Sequence, residues 1–314
     1  MIFTKLQLAS LIAAASLLAA IPALAADNGK ATPEASGRAI VTVLHGEEIP
    51  GGIPQQALRL KVNGKDSTVT GWALDGPQST VEMVVLIDDG ARSSLGLQMN
   101  DIANFINGLP PNAKVSVAYM QNGQARFAGP LSSDHKAVAR ELHLPTAVVD
   151  ASASPYFCLS DLANHWPSTD AQARREVVMV TNGVDSYNPR YDPEDPYLLA
   201  AITDAVRAHL VVYSIYWTNT GFFARTGYAA FSGQSLLAQV TEATGGNSYW
   251  QGYGNPVSFQ PYFADIDRRL HNQYELDFMA PVGGKPQMAS MKLKLDAPAK
   301  VDAPQQVFVH PSAE

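Results

Sequence analysis

The sequence predicts an α/β protein: a doubly wound, mostly parallel sheet with helices on both faces, and a small flanking β module drawn from the N- and C-terminal segments. Three observations carry this. Solid apolar runs such as VEMVVLID (81–88) and REVVMVTNG (175–183) have the pattern of strands covered on both faces. Between them, apolar residues recur every three or four positions, the period of an amphipathic helix. Outside 81–273, short alternating strands with turn residues between them take over.

In chain order, residues 1–25 have the form of a signal peptide. Lys5 opens it, Leu6 to Ala20 is an almost unbroken apolar run, Pro22 breaks it, and Ala23-Leu24-Ala25 has the small-x-small cleavage pattern. The mature chain is therefore expected in the periplasm or outside the cell. Residues 26–38 are polar, with Pro and Gly, and are expected to be a linker. Over 39–80, AIVTVL, ALRLKV and STVTGWAL predict strands, with a hairpin turn at Val62-Asn63-Gly64-Lys65.

The main domain is expected over 81–273. After its first strand comes a helix carrying Leu95, Met99, Ile102, Phe105, Ile106 and Leu109. The strand AKVSVAYM (113–120), an edge-like strand near QARFAG and a helix from about Asp134 to Leu144 follow. The segment Ser154 to Trp166 reads as helical. Asp195-Pro196 opens a helix whose inner stripe is Leu198, Ile202, Val206 and Leu210. Next come the strand VVYSIYW (211–217) and a helix from about Ser232 that stops at Gly245-Gly246. A last helix carries Phe259, Phe263, Ile266 and Leu270. Strand–helix alternation of this kind implies a parallel sheet. Over 274–314, YELDFMAP, MASMKLKLDAP and QQVFVHP are strands again, so the two ends of the chain are expected to pair in one β module.

Composition narrows the function classes. The 314 residues carry 22 Lys and Arg against 29 Asp and Glu, a net charge of −7, with no long basic cluster. This argues against binding driven by nucleic-acid phosphates. After residue 25 no apolar stretch has the length of a membrane span. Cys158 has no partner for an internal disulfide and is expected to be a buried thiol. The seven His show no metal-ligand spacing, and there is no G-x-S-x-G elbow, P-loop or strand-borne G-x-G-x-x-G. No catalytic residues are assigned and the chain is expected not to be an enzyme.

In an open parallel sheet, ligands bind beyond the carboxyl ends of strands where the strand order reverses. Those ends carry Asp88-Asp89-Gly90-Ala91-Arg92-Ser93-Ser94, then the Ser-rich DASASP loop (150–155), then Thr181-Asn182-Gly183-Val184-Asp185. With VVLIDDG, SASPYFCLSDL, VVMVTNGVD and RRLHNQYELDF in this order, residues 40–280 resemble the von Willebrand factor type A (VWA) domain, in particular its acidobacterial-type members. The resemblance implies a Rossmann-like sheet topped by a metal-ion-dependent adhesion site. That site uses Asp-x-Ser-x-Ser, a hydroxyl from a middle loop and an Asp after the fourth strand, and its dication bridges to an acidic group on a partner.

This chain departs from that pattern. Asp88 matches the first acid, but Gly90 and Arg92 stand where the serines belong, and a register starting at Asp89 recovers only Ser93. The middle hydroxyl falls on Ser152 or Ser154. Asn182 replaces the last acid, with Asp185 three residues on. Gly offers no side-chain oxygen and Asn no charge, whereas Mg²⁺ and Ca²⁺ need anionic or strongly polar oxygens. The expectation is a degenerate, metal-free site at Asp88, Gly90, Arg92, Ser93, Ser154, Asn182 and Asp185, with the Arg92 guanidinium in place of the cation's charge. No cofactor is expected. One rival keeps Mg²⁺ or Ca²⁺ on Asp88, Ser93, Ser154 and Asp185; another makes the chain a periplasmic hydrolase using Asp88 or Asp89.

Two long loops, 185–197 and 217–233, supply Tyr187, Tyr191, Tyr197, Trp217, Phe222, Phe223 and Tyr228. Aromatics are enriched at protein interfaces, so these residues predict a surface for a protein partner whose identity the sequence leaves open.

Overall fold

A computed structural model describes residues 34–44, 52–75, 79–91, 93–146, 153–188, 192, 194–218, 227–252 and 254–311. The signal-peptide segment and the start of the linker lie outside these residues. The other end of that linker does not: β1 (Ala35–Leu44) begins inside it. Then come β2 (Leu58–Val62) and β3 (Lys65–Leu74). They are joined by a tight turn in which Asn63 and Gly64 both have positive φ, 49° and 75°, as a two-residue hairpin requires.

The α/β layer follows: β4 (Val81–Asp88), α1 (Met99–Gly108), β5 (Ala113–Gln121), β6 (Gln124–Phe127), α2 (His135–Glu141) and α3 (Pro155–Asn164). It continues with β7 (Arg174–Thr181), α4 (Pro196–Arg207), β8 (Leu210–Tyr216), α5 (Gly227–Thr244), β9 (Ser248–Tyr249) and α6 (Gln260–Leu270). The strand order is β6-β5-β4-β7-β8-β9. All neighbours are parallel except β6, an antiparallel edge. From β4 the chain first moves to β5 on one side and later returns to β7 on the other. The order therefore reverses between β4 and β7, and the crevice falls at Asp88 and Thr181.

Every residue of β4 and β8 is buried. Val85, Ile87, Val178 and Val180 face α1, α2 and α6 through Ile102, Phe105, Val138, Phe263 and Ile266. Val84, Leu86, Val177 and Met179 face α3, α4 and α5 through Tyr156, Leu159, Ile202, Leu236 and Val240. Two helices depart from expectation. The first is split, because Ser93–Gln98 winds as a 3-10 turn before α1. The helix expected from about Ser232 begins at Gly227, so Tyr228 is helical.

After α6 come β10 (Gln273–Ala280), β11 (Gln287–Leu295), β12 (Lys300–Asp302) and β13 (Gln306–Pro311). With β1 to β3 they form more than a small module. The pairings run β10-β3-β2-β11-β13-β1 and return to β10, all antiparallel, while β12 adds to β1. Six strands thus close into a barrel, which leaves no open edge among them. Its interior holds Val41, Leu60, Leu276, Phe278 and Val309. Gly37 makes room there: a Cβ on it would lie 2.3 Å from the Phe278 ring. The α/β layer is an insertion between β3 and β10, and a buried polar joint ties the two parts. Arg174 at the start of β7 reaches the Gln273 side chain, the Leu270 carbonyl at 3.1 Å and Asp75 at 3.4 Å.

Candidate functional site

The crest of the sheet is built from groups that cap backbone. Asp88 ends β4 and is 1% exposed. Its Oδ1 accepts from the Gly90 N–H at 2.9 Å, closing the turn after the strand, and its Oδ2 accepts from the Thr181 hydroxyl at 3.0 Å. That second bond joins the ends of β4 and β7 across the crevice. The Thr181 oxygen accepts in turn from the Gly183 N–H at 3.3 Å. Asp89, also 1% exposed, accepts from Gln121 Nε2 at 2.7 Å and from the Thr146 N–H at 3.0 Å. Two such donors offset part of the cost of burying each carboxylate, and loss of one leaves about 1–3 kcal/mol uncompensated.

The middle hydroxyl is Ser154, fully buried at the N-cap of α3, where it accepts from the Tyr156 N–H at 3.3 Å. Tyr156 follows Pro155 into the helix and its hydroxyl donates to the Gly183 carbonyl at 2.7 Å. Burial, with Asp185 and Asp195 nearby, pushes this phenol far above its usual range, so it stays a neutral donor. Asn182 Oδ1 accepts from the Val184 N–H at 2.9 Å. Gly183 has φ +67°, and a Cβ on Gly233 of α5 would lie 2.1 Å from the Asn182 carbonyl oxygen. The loop and the helix backbone are therefore in direct contact, which only glycine at Gly233 permits.

Asp185 Oδ1 accepts from the Tyr187 N–H at 2.8 Å. Its Oδ2 is buried without a hydrogen-bond partner among the described residues. Burial, then the neighbouring Asp195 carboxylate, raises its pKa to about 6. Asp195 is itself buried. It caps α4 by accepting from Tyr197 N–H at 2.8 Å, and it accepts from Asn188 Nδ2 at 3.0 Å. Two acids that crowd each other bind a proton more readily than either would alone.

Of the expected site residues, Asp88, Gly90, Ser154, Asn182 and Asp185 gather at this crest. Ser93 starts the following 3-10 turn, and its side chain lies outside the described residues, as does all of Arg92. Thr181, Tyr156 and Asp195 join the crest residues. The strand alternation that turns Thr181 toward Asp88 is the one local signal for it. Among the described residues, no group of three or more His, Cys, Asp and Glu could hold a metal ion. In this arrangement both oxygens of Asp88 already accept hydrogen bonds, from Gly90 and Thr181, and Ser154 and Asp185 each cap backbone.

The aromatic surface is partly as expected. Tyr187, Tyr197 and Tyr228 are exposed at 57%, 39% and 62%. Tyr187 and Tyr197 clasp Phe157, with ring centroids 5.2 and 4.7 Å away. Trp217 is a correction. It is 2% exposed and packs edge-on against Phe259 at 5.5 Å, because the chain leaving β8 turns it into the core between the sheet and α6. Tyr191, Phe222 and Phe223 lie outside the described residues. Cys158 is buried on α3.

Fold and crest together define a parallel α/β layer carried on a β-barrel, with capped acids at the switch point. No protein-family model matches the chain, and no curated protein matches it. Solved structures do resemble it. An aerotolerance-related membrane protein from Bacteroides fragilis shares 13% identity over 60% of this chain and 98% of that one, at a TM-score of 0.41. Proximal thread matrix protein 1 from the mussel byssus, solved with a zinc-occupied adhesion motif, shares 12% over 65% of this chain and 48% of its own, at 0.44. The pilus adhesin SpaC from Lactobacillus rhamnosus GG in its open conformation shares 8% over 85% and 48%, at 0.45. At these scores the likenesses transfer neither ligand nor activity. No helix among the described residues is long and apolar enough to cross a membrane.

Proposed function

We propose that this protein is an exported, non-enzymatic recognition module of the VWA type that holds a protein partner at its crest without a metal ion. The observation that carries this reading is the aromatic clasp in which exposed Tyr187 and Tyr197 grip half-buried Phe157, each tyrosine bonded through its backbone to one of the capped acids, Asp185 and Asp195. Rings that brace one another present apolar area at low entropic cost, which suits them as interface anchors. The absence of catalysis is supported by Asp88 and Asp89, whose 1% exposure and engaged oxygens give a substrate no accessible nucleophile. Arg92, four residues beyond Asp88, is assigned the charge that a dication supplies in the family the sequence resembles.

The test is affinity capture from an envelope extract with wild type and with Tyr187→Ala/Tyr197→Ala, each with and without EDTA. A partner retained by wild type, lost from the double variant and indifferent to EDTA is expected. Loss with EDTA alone would favour the cation-dependent rival, as would calorimetric Mg²⁺ binding abolished by Asp88→Ala. An envelope-localised chain beginning at Ala26 is the expected result of N-terminal sequencing after cell fractionation.

A further inference from the structure

A cavity lies at the other end of the sheet from the crest, where the amino ends of β7 and β8 meet β1 and β13 of the barrel. It has a volume of about 220 Å³. Its walls are largely apolar, with Ile40, Val206, Leu210 and Phe308 among them, yet Arg38, Arg174, Arg175 and His209 also line it. No Asp or Glu does so among the described residues.

The three guanidiniums are not equally engaged. Arg174 belongs to the buried joint described above. Arg38 gives Nε to Glu275 at 2.7 Å and one further donor to the Ala171 carbonyl at a long 3.4 Å. Arg175 has no carboxylate partner among the described residues. It makes only long contacts, 3.4 to 3.5 Å, to the carbonyls of Ala208, Ser168 and Asp170, and lies over the Trp166 ring at 5.7 Å. Arg38 and Arg175 thus straddle the same stretch of backbone, 170–171, with donors to spare. His209 stands beside them with φ 56°, a backbone position after a helix that glycine usually fills.

We propose that this cavity binds a small organic carboxylate, its head held by Arg38 and Arg175 and its apolar body lying against Phe308 and Val206. The size suits this. An apolar cavity of about 150 Å³ takes a benzene ring, so this one takes a short alkyl chain or single ring together with a head group. A guanidinium fork pairs with a carboxylate through two parallel hydrogen bonds, and such charge-assisted bonds are about twice as strong as neutral ones. The site is separate from the crest and does not depend on how the crest is read.

A reporter is built in. His209 lies at the mouth of the cavity, exposed on one side; desolvation on its other side, then the charges of Arg38 from β1, His310 from β13 and Arg175 from β7, lower its pKa. A carboxylate seated among them offsets that repulsion, so the His209 titration midpoint rises when the ligand binds.

The test uses the whole chain and three probes of equal length: octanoate, octanol and octylammonium, followed by calorimetry and by the His209 imidazole resonance. Octanoate is expected to bind saturably and shift His209 upward. Octanol should bind at least about tenfold more weakly, and octylammonium not at all. Arg175→Gln should bring octanoate down to the level of octanol, with folding checked by thermal melting and Arg38→Gln as the second variant. Ala208→Leu, which fills the cavity and leaves its charge alone, should abolish both. Equal affinity for octanoate and octanol, octanoate binding that survives both arginine variants, or no saturable octanoate binding would each overturn the proposal.

Discussion

Asp185 couples the crest to pH, and the sign follows from its surroundings. Its carboxyl goes from an ordinary 3.8 to about 6 in the folded protein, through burial and the Asp195 carboxylate. Between those values the folded chain keeps a proton that the unfolded chain has released. Its contribution to stability is complete below about pH 3.8 and is lost as pH rises through about 6. Asp185→Asn keeps the acceptor for the Tyr187 N–H and offers an amide to Asp195. It is expected to raise stability at pH 7 by about 1–2 kcal/mol and to flatten that part of the pH profile; urea denaturation at pH 4, 5.5 and 7 measures both. Thr181 acts at the same scale with the opposite sign. Thr181→Val takes one donor from Asp88 and should cost about 1–3 kcal/mol in the same measurement. Asp88 was legible as a crest residue because it ends an apolar run. Thr181 is legible at the same edge, but its bond to Asp88 is not, since that needs β4 to lie beside β7, which strand alternation alone does not state.

Among the elements, α5 is held closest to the crest. Gly233 sits in its interior, where alanine would normally favour the helix by about 1 kcal/mol. Here a Cβ would lie 2.1 Å from the Asn182 carbonyl oxygen. Gly233→Ala is therefore expected to destabilise by about 1–3 kcal/mol despite the gain in propensity. It should also displace the 182–185 loop, visible as shifted amide resonances for Asn182 to Asp185. The start of α5 is hidden in the sequence for a related reason: Gly227, Ser232 and Gly233 suggest a loop, whereas burial of Ala229, Ala230 and Gly233 fixes the helix there. The buried strands β4, β7 and β8 were legible because burial on both faces leaves an unbroken apolar run. So were α3 and α4, whose Ser154-Pro155 and Asp195-Pro196 starts are local capping chemistry.

For the whole molecule, the decisive contacts are those least visible in the chain. That the two ends pair could be anticipated from their strand-like segments. That six strands close could not, because closure depends on β1 pairing with both β10 and β13, across more than two hundred residues. Removing residues 305–314 deletes β13 and opens the circle. The truncated chain is expected to lose the single cooperative transition of the intact one in calorimetry, since Phe308 also packs beneath the α/β layer. The position of that strand carries a further consequence. Β13 is the last described element of the chain, so a ribosome releases the closing stave after everything it must close upon. Until it docks, β1 and β11 each keep an unmatched flank, and a chain that folds before β13 arrives is open to edge-to-edge aggregation.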